Sequence, residues 1–273
     1  MKWWLLLQCV ILKSAGLWMA WSTGLVELGA VVFFLGGFIT VGHLLIPHWQ
    51  GACSVATHFD GPGKTLWLTI DDGPDPQDTP RILELLAQHR AKATFFMIGE
   101  RAAAHPELVA AVREAGHEIA CHTHRHPKAL FWALGSREVA RELDDALDAI
   151  ELQGGDVSRY RSPVGIKNFF LGKRLAERGL TYIGWTIRSG DALGRDVTAI
   201  VERVRRRLRP GAIILMHEGD GVAPDVRVKA IKAVLELCTR DGYAFVLPTA
   251  QQLRPAPVEI SPPLTSTKDL LCN

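Results

Sequence analysis

The sequence predicts an α/β protein, with parallel strands covered by helices, preceded by an apolar N-terminal segment. Short β-prone runs alternate with helical patterns over most of the chain, as they do in parallel sheets. Polar clusters follow several predicted strands, at the edge where such folds place active sites. Residues 1–48 differ because their only charged side chains are Lys2, Lys13 and Glu27. The pattern leaves two arrangements open, a barrel and an open doubly wound sheet.

The composition limits the function classes. With 273 residues, 48% apolar and 22% charged, the chain is typical of a folded protein. The net charge of +2, from 31 Lys and Arg against 29 Asp and Glu, is too small to attract nucleic acid, so we expect no such partner. The cysteines are scattered without paired spacing and predict no disulfide framework: Cys9, Cys53, Cys121, Cys238 and Cys272.

Residues 1–48 are predicted to be a membrane anchor of one or two transmembrane helices. The stretch 28–46 has no Asp, Glu, Lys or Arg, and its 19 residues would span about 28 Å as a helix. A second stretch, 3–21, is interrupted by Gln8 and Lys13 and flanked by tryptophans of the kind enriched at membrane interfaces. A cleaved signal peptide for 3–21 and a buried core helix for 28–46 are the alternatives.

The number of spans decides the side of the membrane on which the rest of the chain lies. Two spans return it to the side of the N-terminus, which is the cytoplasm if Lys2 stays there. One span places it outside. We therefore predict a protein of the bacterial inner or plasma membrane, with the side of the catalytic domain open.

The first elements after the anchor follow a connector at 49–64. The run 65–70 is rich in β-prone residues and ends in a turn rich in Gly and Pro, so it predicts a strand. Thr79 and Pro80 fit the N-cap and first position of a helix that extends to about residue 90. The next strand is predicted at 93–98.

The same alternation continues to the end of a predicted domain at 65–250. Gly116 ends a helix at 106–115, and Ser136 begins a longer helix with one apolar face. The Pro-rich segment 251–273 is predicted to be a disordered tail. Further strands are predicted at 117–121, 182–185, 212–216 and 243–247, and further helices at 170–178, 197–208 and 225–238.

Two adjacent aspartates, Asp71 and Asp72, follow the first predicted strand and precede Gly73. Their mutual repulsion is costly unless a cation or an arginine compensates it. At a strand end that turns into glycine, both can face one cavity, one as a metal ligand and one as a base. An acidic surface turn is the alternative.

Three histidines occur within five residues: His122, His124 and His126. Because His122 and His126 are four apart, a helical turn or a tight loop places both imidazoles on one side, with His124 pointing elsewhere. Their nitrogens suit zinc, and two His with one Asp leave an open coordination position, as in catalytic sites. A solvated loop is the alternative.

Three more clusters follow predicted strands, at 160–165, 185–191 and 213–217. The last ends in His217, which alone could be a satisfied histidine at a sheet edge. Together, the five clusters resemble the polysaccharide deacetylases of the NodB-homology type, carbohydrate esterase family 4. The motifs are Thr-Ile-Asp-Asp-Gly-Pro at 69–74, His-Thr-x-x-His at 122–126, Arg-Ser-Pro-x-Gly at 161–165, Trp185 with Asp191, and Leu-Met-His at 215–217.

This resemblance covers about residues 64–250. It implies a distorted (β/α) barrel with fewer than eight units and a metal-dependent removal of acetyl groups from N-acetylated sugars. Asp71 matches the catalytic base and Arg161 the residue that holds it. Asp72, His122 and His126 match the ligands of one divalent ion, for which we expect zinc, with cobalt, manganese and nickel as alternatives.

The resemblance also assigns the remaining roles. His217 matches the catalytic acid, and Asp191 the carboxylate that keeps it protonated. The backbone N–H of Val164 matches a donor to the oxyanion. Trp185 would form an apolar wall for the sugar, with core packing as an equal alternative.

The chain departs from the family pattern at two places. Ser162 and Val164 stand where a proline and an aromatic residue are usual, and Ala192 and Leu193 follow Asp191 where a tryptophan is usual. This reduced aromatic lining predicts a substrate other than a long polymer such as chitin or xylan.

The sequence therefore predicts a hydrolase that deacetylates an N-acetylated sugar in a membrane-linked or envelope glycan. The expected partners are that N-acylated glycan or lipid-linked sugar, and the membrane. A deformylase of a lipid-linked amino sugar and a catalytically silent glycan-binding module are the alternatives.

Overall fold

The structure, a computed structural model, describes residues 3–154, 156–194, 196–219 and 221–255. Its helices are α1 Trp3–Thr23, α2 Val26–Leu45, α3 Thr79–Gln88, α4 Gly99–Ala104, α5 Pro106–Glu114, α6 Ser136–Glu151, α7 Leu171–Glu177, α8 Val197–Arg207 and α9 Pro224–Arg240. Its strands are β1 Ala56–Phe59, β2 Thr65–Gly73, β3 Ala93–Met97, β4 Glu118–Cys121, β5 Arg159–Tyr160, β6 Thr181–Tyr182, β7 Ile187–Arg188, β8 Ile213–His217, β9 Ala244–Phe245 and β10 Leu253–Pro255.

The two apolar helices α1 and α2 form a hairpin in which the backbones approach closely at glycines. A Cβ atom on Gly16 would lie 2.4 Å from the carbonyl oxygen of Gly29, and one on Gly29 would lie 2.6 Å from that of Gly16. Close approach through small residues is typical of helix pairs in membranes. Both helices are long and apolar enough to cross a bilayer, with mean hydropathies of 1.4 and 2.1.

Seven parallel strands form a curled sheet in the order β6-β5-β4-β3-β2-β8-β7, and β9 pairs with the start of β2. Leu66, Leu68 and Ile70 of β2 pack in the main apolar core, whereas Trp67 between them packs with Phe96 in a second cluster. Burial on both faces is typical of parallel strands covered by helices. The predicted α/β fold, a distorted barrel with fewer than eight units, is confirmed.

Two segments that flank the predicted domain contain strands. The predicted connector, 49–64, contains β1, which pairs antiparallel with β10. Because β10 spans Leu253–Pro255, the start of the predicted tail is folded against the domain; residues 256–273 lie outside the described residues. Strands β5 and β7 were not predicted, since each has only two residues and shows no pattern of its own.

Candidate active site

The side chains singled out by the sequence lie at the carboxyl ends of neighbouring strands. Asp71 on β2 is the register partner of His217, the last residue of β8. His122 directly follows β4, Arg161 directly follows β5, and Asp191 follows β7. The parallel order of these strands therefore brings motifs that are far apart in sequence to one edge of the sheet.

Asp72, His122 and His126 form a group of potential metal ligands. One ligand atom of each lies within 4.8 Å of the others. The Nε2 atoms of both histidines are 3.3 Å from Oδ1 of Asp72. This Oδ1 atom is buried and accepts no hydrogen bond from the described residues. A buried carboxylate oxygen that faces two imidazoles without a hydrogen bond fits a cation between them.

Unusual backbone conformations produce this group. Asp72, Thr123 and His126 have positive φ angles of 74°, 65° and 55°. Such conformations cost roughly 1–3 kcal/mol each in residues other than glycine and persist where surrounding contacts enforce them. His122 and His126 therefore meet across a tight loop, with ring centroids 4.9 Å apart, and not on a helix.

Electrostatics at the ligand group favour neutral imidazole. Burial, followed by the charge of His122, lowers the pKa of His126 to about 3, although Asp72 raises it. Burial raises the pKa of Asp72, but His122, His217 and His126 bring the net pKa well below its ordinary value. A neutral imidazole and an ionised carboxylate are the protonation states that bind a metal.

Glu142 of α6 holds the histidine loop and escaped the sequence reasoning. Its buried carboxylate accepts the backbone N–H groups of His124 at 3.0 Å and Arg125 at 2.9 Å, and it pairs with the Arg125 guanidinium at 2.6 Å. Nδ1 of His122 donates to the carbonyl of Arg161 at 2.8 Å, so this ring carries its proton on Nδ1 and leaves Nε2 free to face Asp72. A glutamate within the apolar face of α6 was the available signal.

Asp71 is paired with the fully buried Arg161. An Nη atom of Arg161 lies 2.5 Å from Oδ1 of Asp71 and also donates to the Thr69 hydroxyl at 2.9 Å. Two backbone carbonyls accept from the rest of the guanidinium, which stacks over Phe96. Oδ2 of Asp71 lies 3.8 Å from Nε2 of His122, beside the ligand group. The guanidinium is thus fixed on all sides, and Thr69 is a positioning residue that sequence reasoning missed.

His217 is paired with the buried Asp191. Its Nδ1 atom lies 2.8 Å from Oδ1, its backbone N–H donates to Oδ2 at 2.8 Å, and the Ser189 hydroxyl donates to Oδ1 at 2.7 Å. Burial lowers the pKa of His217, but the charge and hydrogen bond of Asp191, with the charges of Asp72 and Asp71, raise the net pKa to about 9. The imidazole is therefore protonated at neutral pH.

Glu218 directly follows His217 and packs against Gly73, and it was not identified from the sequence. The pKa of Glu218 is raised to about 8. Burial raises this pKa most, the hydrogen bond from Thr79 at 2.5 Å lowers it, and the charge of Asp78 raises it. Its carboxyl group packs so closely on Gly73 that a Cβ there would lie 1.7 Å from Oε1. Any side chain at position 73 would therefore displace the Glu218 carboxyl group beside the loop that carries Asp72.

The two predicted substrate-binding residues differ in their surroundings. Val164 is 45% exposed, has a φ of 49°, and its N–H donates to none of the described residues. Trp185 is 5% exposed and packs on the Arg161 guanidinium and the ring of His48. Val164 is thus accessible with a free donor, whereas Trp185 has the contacts of a packed side chain and its role toward substrate stays a prediction.

Comparison with known proteins places this domain in the class of carbohydrate deacetylases. The profile of the polysaccharide deacetylase family matches residues 59–183. A chitooligosaccharide deacetylase of Sinorhizobium fredii is 39% identical over 163 residues, 59% of this chain and 74% of the relative. The chain belongs to the polysaccharide deacetylase family.

Solved structures share the fold. A peptidoglycan N-acetylglucosamine deacetylase superposes with a TM-score of 0.65 at 28% identity, covering 70% of this chain and 89% of the other. A pseudoenzyme of carbohydrate esterase family 4 from Bacillus anthracis has a TM-score of 0.62 at 26% identity, covering 69% and 65%. Because this fold occurs with and without activity, the site itself must carry the functional argument.

Proposed function

We propose that this chain is a membrane-anchored, metal-dependent hydrolase that removes the acetyl group of an N-acetylated sugar in a membrane-linked or envelope glycan. One observation carries the proposal: a group of potential metal ligands, a carboxylate held by an arginine and a protonated histidine held by a carboxylate meet at one edge of the sheet. Amide hydrolysis needs all three functions, whereas a protein that only binds glycans needs none of them.

The ligand group fits one divalent ion. Two imidazole nitrogens and one carboxylate oxygen suit zinc, with cobalt, manganese and nickel as alternatives, and three protein ligands leave room for substrate. When bound, such an ion polarises the acetyl carbonyl and lowers the pKa of a coordinated water, to about 7 for zinc.

Asp71 is suited to the role of general base. The guanidinium of Arg161 stabilises its ionised form and fixes Oδ1, while Oδ2 lies next to the ligand group. Asp71 would take the proton of the attacking water through Oδ2. The free N–H of Val164 would stabilise the negative charge that develops on the carbonyl oxygen.

His217 is suited to the role of general acid. Its proton on Nδ1 is held by Asp191, so Nε2 would deliver a proton to the sugar nitrogen as the carbon–nitrogen bond breaks. Without that proton a strongly basic amide anion would have to leave. Acetate and a free amino sugar are the products.

The membrane anchor is supported by the exposure of the hairpin. Only 11% of the most apolar window of α1 and 22% of that of α2 is buried in the protein, which disfavours a core helix. The start of α1 and the end of α2 meet, because the ring of His43 lies 5.3 Å from that of Trp4 and 4.6 Å from that of Trp49. A hairpin places the catalytic domain on the side of the N-terminus.

The experiment is an assay of the purified full chain for release of acetate. The substrates are N-acetylglucosamine oligomers, peptidoglycan and undecaprenyl-linked N-acetylglucosamine, each with and without a chelator. Activity on at least one, lost with chelator and restored by zinc, is expected. Formate release from an N-formyl sugar with no acetate release would favour the deformylase.

A double variant tests the ligand group in the same assay. His122→Ala/His126→Ala should lose both metal and activity, whereas His89→Ala, directly after the end of α3 and before the start of β3, should keep both. No turnover by the metal-loaded native chain on any substrate would favour the silent glycan-binding module, and unchanged metal content in the folded double variant would overturn the ligand assignment.

A further inference from the structure

Five exposed apolar side chains lie on two loops next to the active site. They are Leu130, Trp132, Val164, Phe169 and Phe170, from 37% to 68% exposed. We call them the apolar rim. Single exposed apolar residues are ordinary, but a grouped set beside a functional site marks an interaction surface.

The two loops of the apolar rim are tied into one surface by Asn168. Its buried side-chain amide donates to the backbone carbonyls of Phe131 at 2.9 Å, Trp132 at 3.2 Å and Leu134 at 2.9 Å. The turns at Lys128–Ala133 and Pro163–Gly165 also contact each other. The two loops therefore form one connected surface with the segment that follows Arg161.

This surface is joined to the end of α2 by a buried lysine. The backbone N–H of Lys167 donates to the carbonyl of Leu44 at 2.8 Å, and its Nζ donates to the carbonyls of Ile46 at 2.6 Å and Pro47 at 2.9 Å. A Cβ on Gly165 would lie 2.8 Å from Pro47. The end of the helix proposed to span the membrane, and the two residues that follow it, thus contact the chain segment that precedes Phe169 and Phe170.

The short spacing along the chain keeps the rim close to Lys167, and so to the end of α2. Consecutive residues span at most about 3.6 Å, so Phe169 and Phe170 lie within about 7 and 11 Å of Lys167. The polar layer on each side of the hydrocarbon core is about 5–8 Å thick. Lys173 and Arg174 follow on α7, and aromatic residues next to basic ones are typical of segments that lie in this layer.

We propose that the apolar rim is a second membrane contact, seated in the headgroup layer where α2 ends, and that it turns the active site toward the membrane surface. The proposal rests on the membrane anchor of the proposed function. The substrate it implies is an acylated sugar with a lipid anchor, taken from the plane of the bilayer. Because the rim is directly connected to the end of α2, the bilayer is favoured over a second copy of the chain as the surface that covers it.

The test places an environment-sensitive fluorophore on single introduced cysteines of the full chain, reconstituted in nanodiscs of phosphatidylcholine and phosphatidylglycerol that are large enough for two chains. Leu130→Cys reports on the rim, and Phe38→Cys, 72% exposed on α2, reports on the anchor. Leu152→Cys is the control, because Leu152 is 81% exposed just beyond the end of α6 remote from the strand edge. The native chain, labelled identically, gives the background of its own cysteines.

Lipids with a spin label near the headgroup should quench the label at Leu130, and lipids with a spin label on the acyl chain should quench the label at Phe38, about 10 Å from the end of α2. Neither lipid should quench the label at Leu152. Quenching at Phe38 without quenching at Leu130 overturns the rim proposal and leaves the anchor intact. No quenching at Phe38 overturns the anchor. A label at Leu130 that is shielded from iodide in solution but unquenched by the lipids indicates a second copy and also overturns the rim proposal.

A second arm uses turnover. Leu130→Ser/Trp132→Ser/Phe170→Ser should keep its rate on a soluble N-acetylglucosamine oligomer and lose rate several-fold on the same oligomer conjugated to a lipid in vesicles. Leu152→Ser should change neither rate. An equal loss on both substrates, or none on either, contradicts membrane seating by the rim. The soluble substrate also shows that the variant is folded.

Discussion

The base half and the acid half of the site use the same components in opposite ways. Each is a buried carboxylate paired with a cation, Asp71 with Arg161 and Asp191 with His217. In the base half the cation is permanent and the carboxylate is the group that would exchange a proton. In the acid half the carboxylate is the constant charge and the imidazole is the group that would exchange a proton.

This difference between the two pairs explains how one strand edge can hold a base and an acid at the same pH. Asp71 and His217 are register partners on adjacent strands, so the two halves are distinguished by the partner of each residue, a guanidinium in one and a carboxylate in the other. A guanidinium stabilises an ionised base, and a carboxylate stabilises a protonated acid. Replacement of Arg161 should therefore affect only the base half, and replacement of Asp191 only the acid half.

The largest effect is expected from Arg161→Met. It leaves Asp71 buried without its cation, which should destabilise the fold by about 3–5 kcal/mol and abolish turnover. Arg178→Met removes a pair with Asp144 whose side chains are 49% and 39% exposed, so it should cost less than about 1 kcal/mol. Urea unfolding in detergent measures both, and equal costs for the two variants would contradict the role given to Arg161.

A smaller and pH-dependent effect is expected from Asp191→Asn. In the native chain the pKa of His217 is raised to about 9, so the stabilisation by Asp191 is complete below the ordinary value near 6.5 and is lost as the pH rises through about 9. Without the carboxylate, burial lowers that pKa. The alkaline limb of the kcat profile should move to lower pH, and Asp144→Asn should leave it in place; an unmoved limb in Asp191→Asn would remove His217 from the role of acid.

The smallest effect is expected from Thr69→Val. The hydroxyl accepts from Arg161 and donates to the carbonyl of Ile214, so its loss should cost about 1–3 kcal/mol while the pair of Arg161 with Asp71 persists. Thr239→Val, at an exposed position of α9, should stay within about 0.5 kcal/mol. Urea unfolding compares the two, and a Thr69→Val chain as stable as the control would show that the hydroxyl does not hold the guanidinium.

The sequence predicted the fold and the residues of the site because both are marked by local patterns. A β-prone run followed directly by Asp71 and Asp72, or by His122, places the chemistry at a strand end before any tertiary contact is known. No local sequence pattern indicates that a polar residue within a strand or helix is buried. Thr69 and Glu142 therefore escaped notice, since each reads as one polar position within a strand or an apolar helix face.

Contacts between distant segments were equally hidden. The buried Lys167 reads in the sequence as an ordinary surface lysine, and only the folded chain shows its bonds to the carbonyls of Ile46 and Pro47, which directly follow α2. The pairing of β1 with β10 likewise depends on segments about 200 residues apart, so no local pattern predicts it. Local patterns in the sequence were enough to propose the chemistry, whereas the contacts that hold the proposed residues are visible only in the structure.

The central claim is that two adjacent aspartates have different tasks, Asp71 as base and Asp72 as metal ligand. The most direct test measures bound zinc and kcat for Asp71→Asn and Asp72→Asn side by side. Asp71→Asn should retain one ion while turnover falls by roughly 10²–10⁴-fold, the scale of general-base catalysis. Asp72→Asn should lose the ion. If Asp71→Asn loses the ion and Asp72→Asn keeps it, the assignment is reversed and the account of the site is contradicted.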